Sequence, residues 1–310
     1  MKVRKAVVTA AGWGTRFLPA TKAQPKEMLP LVDKPIIHYV VEEAIASGIK
    51  HVTIVTASGK RAIEDYFDRS FELELALERK GDFRLLEEIR RISDLADISY
   101  VRQKEQLGLG HAILTAEGLI GHEPFAVFLP DDVIEAEVPA MLQMLRVFAE
   151  CQCSVVAVEK VQPHQTLSYG IIKPQPVAER LFQVLDLVEK PTPEEAPSNL
   201  GIVGRYILTP EIFDVLKQTP PGRNQEIQLT DGLQRLLRQQ PVYAYEFQGV
   251  RYDAGTPLGF LKASVELALK RPDIGPAFQE YLRQLNLDQF TIQCESRLDA
   301  KEKLTFGTRQ

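Results

Sequence analysis

The stretch "AAGWGTRFLPATKAQPKEMLP", Ala10 to Pro30, gathers Gly12, Gly14, Arg16, Lys22 and Lys26 and holds no acid before Glu27. Glycines after a short apolar run let backbone N–H groups come close to an anion. Arg16 supplies a planar fork of donors and Lys26 a compact point charge. Together they suit a polyphosphate whose charge rises during reaction. Lys22 reads equally well as a solvated loop charge. Two named phosphate loops fail here. A P-loop ends in Gly-Lys-Ser/Thr, which is absent. A dinucleotide fingerprint needs a third glycine where Phe17 stands, and an acid closing the second strand, which ends "TAS".

Carboxylates form a second group. "FAVFLPDD" ends an apolar run with Asp131 and Asp132, and "RYDAGTP" carries Asp253. Ligands of open α/β sheets bind beyond the carboxyl ends of strands, where an aspartate can hold a hard cation through oxygen. With no His or Cys nearby the set favours Mg²⁺ over zinc. The alternative for each aspartate is a helix cap or turn. In "RQKEQLGLGHA" the amide of Gln103 could pair with the imide edge of uracil or, flipped, with adenine. Gly108 would let a base lie against backbone, or it and Gly110 serve tight packing. "VEKP" sets Glu189 beside Lys190. Strand neighbours point to opposite faces, so lining one pocket requires a bulge or loop. On their own the two read as a solvated charge pair. The histidines, His38, His51, His111, His122 and His164, are scattered and support no nucleophile–base order.

The elements that must position these residues alternate. Strands are expected at "AVVTA", "HVTIVTA", "ISYVRQ", "FAVFLPDD" and "SVVAVEKV". Helices are expected at "IIHYVVEEAIAS", "GKRAIEDYF", "GHAILTAEGLIG" and "PAMLQMLRVFAEC". Residues 71–96 read as a charged helical hairpin bending at Gly81. Such alternation calls for a mainly parallel sheet flanked by helices, a Rossmann-like α/β fold. Residues 163–193 break the pattern and read as a β-rich insertion. "NLGIVGRYIL" and "VYAYEFQG" return to strand. "PEIFDVLKQ", "EIQLTDGLQRLLRQQ" and "PLGFLKASVELALKR" are helical. The expected division is one domain over 1–275, with a C-terminal helix and tail over 276–310.

The 310 residues are 45% hydrophobic and 25% charged with a net charge of −5, so no basic footprint points to nucleic acid. An anionic ligand must be held by a local cluster. No apolar run approaches a membrane span. "MKVRKAVVTAAG" imitates a signal peptide, but its apolar run is too short and flows into the glycine loop, so it reads as a first strand. Cys151, Cys153 and Cys294 read as packed thiols in a reducing, cytoplasmic setting.

The opening stretch through "LVDKPIIHYVVEEA" resembles the signature of the sugar-1-phosphate nucleotidylyltransferases. "RQKEQLGLGHAI", "LPDD", "YGIIKP", "VEKP", "SNLGIVGRYILTPEIF", "EIQLTDGL" and "RYDAGTPLGF" follow in the family's order, over about residues 3 to 270. The resemblance implies a glycosyltransferase-A-like fold and transfer of the uridylyl group of UTP to glucose-1-phosphate. It implies Arg16 and Lys26 on the triphosphate. Ala10, Ala11, Gly12, Gly14, Gln103 and Gly108 would meet the nucleotide. Mg²⁺ would sit on Asp131 and Asp253, and Gly170, Glu189 and Lys190 on the sugar phosphate. It also implies a homo-oligomer, dimer or tetramer. Transfer to another sugar phosphate or from dTTP stays open, as does a catalytically weak regulatory relative. A dehydrogenase is disfavoured by the failed fingerprint.

Overall fold

In the computed structural model, which describes residues 1–290, the strands are β1 (Lys5–Thr9), β2 (Pro30–Leu31), β3 (Lys34–Pro35), β4 (His51–Thr56), β5 (Asp97–Arg102), β6 (Phe125–Phe128), β7 (Asp132–Glu135), β8 (Ser154–Lys160), β9 (Gly170–Ala178), β10 (Leu181–Glu189), β11 (Leu200–Leu208), β12 (Val242–Glu246) and β13 (Val250–Asp253). The helices are α1 (Ile36–Ala46), α2 (Arg61–Phe67), α3 (Phe71–Lys80), α4 (Phe83–Ser93), α5 (Leu109–Thr115), α6 (Glu117–Ile120), α7 (Ala140–Cys151), α8 (Glu211–Lys217), α9 (Leu229–Leu236), α10 (Pro257–Leu269) and α11 (Gly275–Gln284). The tail with Cys294 lies outside the described residues.

Among the described residues nine strands form one sheet in the order β5-β4-β1-β6-β11-β8-β12-β10-β9. The run that imitates a signal peptide is an interior strand of it. Ala6, Val7 and Val8 are wholly buried, between β4 and β6. The parallel character expected from alternating elements holds for β5-β4-β1-β6 and for β8 beside β12. The rest is antiparallel, so the sheet is mixed. β11 runs against both β6 and β8. The region 163–193 supplies β9 and β10, a hairpin that joins this same sheet beside β12 and also touches β11 at Gly201. β11 is buried at all nine positions, as an apolar run covered on both faces must be.

Two apolar layers fill the two faces. Val7, Ile113, Phe125, Tyr206 and Leu233 share one, and Val8, Ile37, Ile54, Phe128 and Phe148 the other. α3 and α4 make the expected hairpin, with Gly81 at φ 73 after the last turn of α3, a backbone that glycine adopts without strain. Two expectations shift. The helix expected across "GHAILTAEGLIG" divides into α5 and α6. α9 starts at Leu229 rather than Glu226, because Ile227 donates its N–H to Leu107 and accepts from Gly110. β13 leaves the main sheet and pairs with β7 in a separate two-stranded ribbon that sets Asp253 opposite Asp132.

Two compact units divide the chain, Met1–Ser264 and Val265–Gln310. The first holds the whole sheet. The described part of the second contains the end of α10 and α11, with Gly275 close against the backbone of Leu269. No helix among the described residues is long and apolar enough to cross a membrane.

Candidate functional site

Two cavities adjoin beyond the strand ends. One, of about 450 Å³, is lined by Ala11, Gly12, Gly14, Lys26, Gln103 and Gly108 among others. The second, of about 420 Å³, is lined by Arg16, Gly170, Glu189, Lys190, Arg251 and Asp253 among others. Asp131, Leu129, Leu109 and Glu226 line both, so Asp131 stands on their common wall. Residues more than two hundred positions apart thus meet at one place. Ala10 is the exception: it is wholly buried in the core and lines neither cavity.

The glycine loop does not run into the start of a helix. It winds through three short 3₁₀ turns, Thr15–Phe17, Ala20–Lys22 and Lys26–Met28, before α1. Gly14 at φ 67 turns the loop, and a Cβ there would press on Lys26 and Thr21 at 3.2 Å. That packing aims Lys26 inward, and its Nζ donates to Asp131 Oδ2 at 2.5 Å. Burial alone would lower the Lys26 pKa, but Asp131 beside it outweighs this and holds it above the ordinary value. Burial likewise works to raise Asp131, and Lys26 overrides it, leaving the carboxyl below its usual range. Arg16 comes from the other side, its Nη1 3.4 Å from the Gly255 carbonyl. Lys22 is exposed, its cation committed to neither cavity. Next to Lys26, Glu27 is buried with Lys60, Nζ to Oε2 2.7 Å, and burial pushes the Glu27 carboxyl up.

Asp131 and Asp253 converge on Gly255. A Cβ there would lie 2.7 Å from Asp131 Oδ2 and 3.0 Å from Asp253 Oδ1. The Gly255 N–H donates to Asp253 Oδ1 at 3.0 Å, and the Ala254 N–H to the Asp131 carbonyl at 2.8 Å. Two carboxylates around a glycine-sized gap, both at the wall of an anion-sized cavity, suit a cation that completes its shell with substrate oxygens and water. Among the described residues no third His, Cys, Asp or Glu joins them as a ready-made cage. Asp132 is engaged elsewhere. Its Oδ2 accepts from the Gly204 N–H at 2.8 Å and its Oδ1 from Arg251 Nη1 at 2.5 Å. Burial still raises its carboxyl above the ordinary range.

In the first cavity Gln103 is buried, and both of its contacts fall on Nε2, to the Gly108 carbonyl at 3.2 Å and His111 Nδ1 at 2.9 Å. Its Oε1 is therefore the acceptor it can offer a base. Gly108, at φ 96, has no room for a side chain: a Cβ would be 2.7 Å from Glu226 Cβ and 2.9 Å from the Ile227 carbonyl. The packing role weighed for this glycine is present, and the residue lines the cavity as well.

In the second cavity Glu189 ends β10, and Lys190 follows at φ 47. Their charges meet at 3.0 Å. Thr230 donates to Glu189 Oε2 at 2.7 Å, directly over Gly170, where a Cβ would be 2.9 Å from Thr230 Oγ1. Arg251 packs 5.1 Å over the Tyr169 ring and donates to its hydroxyl at 2.6 Å. Arg251, Thr230, Tyr169 and Glu226 were not singled out from sequence. Arg251 stood in the quoted "RYDAGTP", and Glu226 and Thr230 in "EIQLTDGL", but residue type alone gave no reason to turn them inward.

The fold is that of a nucleotidyltransferase. The family described as nucleotidyl transferase matches residues 5–270, and the chain belongs to it. A UTP–glucose-1-phosphate uridylyltransferase of Staphylococcus epidermidis is 52% identical over 286 residues, 92% of this chain and 99% of that protein. One of Bacillus subtilis, YngB, is 53% identical over 284 residues, covering 92% and 96%. Among solved structures, a UDP-glucose pyrophosphorylase complexed with UDP-glucose superposes with TM-score 0.81 at 47% identity, covering 87% of this chain and all of that one. A UTP-bound enzyme of the same kind from Acinetobacter baumannii gives 0.85 at 42% identity, covering 91% and 99%.

Proposed function

We propose that this chain transfers the uridylyl group of UTP to glucose-1-phosphate, giving UDP-glucose and pyrophosphate. The observation that carries the reading is the common wall: two anionic substrates in adjoining cavities would meet at Asp131, with Lys26 on one side and Arg16 on the other. The first cavity would take the nucleotide. Gln103 Oε1 would accept from the uracil N3–H, and the backbone around Ala11, Gly12 and Gly14 would follow the phosphates. Ala10 would contribute only through packing beneath them. The second cavity would take the hexose phosphate. Lys190 would hold the phosphate, and Glu189, fixed by Thr230, would accept from the sugar hydroxyls above Gly170.

Asp131 and Asp253 would hold Mg²⁺, whose charge, when bound, offsets the repulsion between the two substrates. A sugar-phosphate oxygen attacks the α-phosphorus in line, and the bond to the bridging oxygen breaks as pyrophosphate leaves. The nucleophile is already an anion, so no general base and no covalent enzyme intermediate are needed. The protein's share is positioning and charge neutralisation. Lys26 would leave Asp131 for the phosphates as they arrive, and Arg16 would follow charge onto the leaving pyrophosphate. A homo-oligomer, dimer or tetramer, belongs to the same reading, and light scattering measures it.

Pyrophosphate release across a matrix of NTPs and sugar-1-phosphates tests the assignment. UTP with glucose-1-phosphate should give the highest kcat/KM. Equal rates with dTTP, or a preference for another sugar phosphate, would reassign the base or sugar. No release from any pair would leave a binding relative.

A further inference from the structure

Among the described residues Arg205 is the largest side chain with no exposure at all. It lies on β11 opposite Phe128, the last residue of β6, with its guanidinium 4.9 Å over that ring. Between Ile202 and Tyr206 the register of β11 with β8 shifts, which frees the backbone at Gly204. The Gly204 carbonyl accepts from the Leu129 N–H at 2.9 Å, and the Gly204 N–H donates to Asp132 Oδ2. Arg205 completes the grip. Nη1 donates to the carbonyls of Leu129 at 3.3 Å and Gly204 at 2.9 Å, and Nη2 to the carbonyl of Asp132 at 2.7 Å. Nε and Nη2 both donate to Glu43 Oε2, at 3.0 and 2.6 Å, while Glu43 Oε1 accepts from the Met141 N–H at 3.1 Å.

One planar group therefore holds the carbonyls on both sides of Pro130 and Asp131, anchored from behind by α1. A buried ion pair is a weak device for stability, since apolar residues of similar volume commonly do as well. Its planar fork of donors, however, can pin several acceptors at fixed angles, which an apolar core or a lysine cannot. We propose that Arg205 is the positioning residue of the Asp131 turn: it fixes the carboxylate that faces Lys26 and Gly255, and so sets where the two substrates meet. The inference rests on the transferase reading for its kinetic consequence, but the turn itself can be watched without substrate.

Arg205→Lys keeps the charge and loses the fork. Amide exchange across residues 129–132, followed by mass spectrometry in the protein free of metal and substrate, should quicken about tenfold, while β1 and β4 keep their protection. Mn²⁺ affinity in the presence of UTP, read by electron paramagnetic resonance, should fall about 10- to 100-fold, as it does when groups supporting a metal ligand are lost. kcat should fall with the KM for UTP within about twofold. The double variant Glu43→Gln, Arg205→Met removes both buried charges together and should give the same local signature if Arg205→Lys does not fold. Unchanged exchange at 129–132, or a loss of protection spread evenly over all strands, would show that Arg205 only fills the core. A wild type that makes no UDP-glucose would overturn the transferase reading and leave the exchange result standing.

Discussion

Glu189 and Lys190 are consecutive, yet their charged groups meet 3.0 Å apart inside one cavity. A continuing strand would have sent them to opposite faces. The chain avoids this at Lys190, whose φ of 47 reverses the backbone immediately after β10, and whose N–H donates to the Tyr169 carbonyl at 3.0 Å. A non-glycine residue there carries a conformational cost.

That cost makes a two-sided prediction. Lys190→Gly should relieve about 1–2 kcal/mol of left-handed strain, against roughly 0.5–1 kcal/mol lost to the freer unfolded chain. Its denaturation midpoint should equal or slightly exceed that of wild type. Calorimetric titration should nonetheless show weaker glucose-1-phosphate binding with UTP unaffected, and Lys190→Met should weaken the same ligand without the gain in stability. If UTP is the ligand that suffers, Lys190 faces the nucleotide instead.

Arg16→Ala should lower turnover more than substrate affinity. The guanidinium stands at the Gly255 carbonyl, beside the point where both carboxylates converge. Losing a donor aimed at developing charge costs about 2.7–4 kcal/mol, or roughly 10²–10³ in kcat. Steady-state kinetics decide it: an unchanged kcat with a raised KM would make Arg16 a binding residue only.

Gly255→Ala should abolish metal-dependent activity while the protein stays folded, because a methyl group would enter the gap between Asp131 Oδ2 and Asp253 Oδ1. Asp131→Asn and Asp253→Asn keep the gap and lose charge, so added Mg²⁺ should partly restore them but not Gly255→Ala. Activity as a function of Mg²⁺ concentration separates the three. Curves identical to wild type would remove the cation from Asp131 and Asp253.

Lys26→Met should change how stability depends on pH. In the wild type Asp131 lies below its ordinary range, so its contribution is lost only as pH falls through that depressed value. Lys26 lies above its own, so its contribution is lost only as pH rises past that raised value. The pair is thus constant across neutral pH. Without Lys26, burial governs Asp131 and raises it, the folded state binds the extra proton, and stability increases as pH falls. Urea midpoints should show the deficit of Lys26→Met shrinking from pH 7 to pH 5. A deficit equal at both values would mean that Asp131 is held ionised by Arg16 alone.

Much of this was legible because local chemistry and global fold agree. The hairpin of α3 and α4 was marked by Gly81, and β1 by an apolar run ending in glycines. The motif residues Lys26, Asp131, Asp253, Gln103, Glu189 and Lys190 all reach the cavities. What escaped was set by distant partners. "EIQLTDGL" has a helical pattern, but the backbone at Ile227 is needed by Leu107 and Gly110, over a hundred residues earlier. The ribbon of β7 and β13 depends on a pairing that no period announces. Lys190 read on its own as a solvated charge and Arg251 drew no reading, because a single strand pattern reports neither a left-handed residue nor which face a neighbouring segment will cover.

The way β9 closes back on β11 also bears on how the molecule behaves at high concentration. A sheet invites another chain wherever a strand lacks a neighbour. Beyond Ile171, β9 is bonded on one side by β10 alone, and this stretch carries Pro174 and Pro176, which have no amide hydrogen to donate. At the opposite margin β5 begins with Asp97 and ends with Arg102, both exposed charges that resist a flat apolar partner. The sheet is therefore guarded at both margins against growing into a ribbon with its neighbours, and the fold can keep nine strands in register without recruiting a tenth.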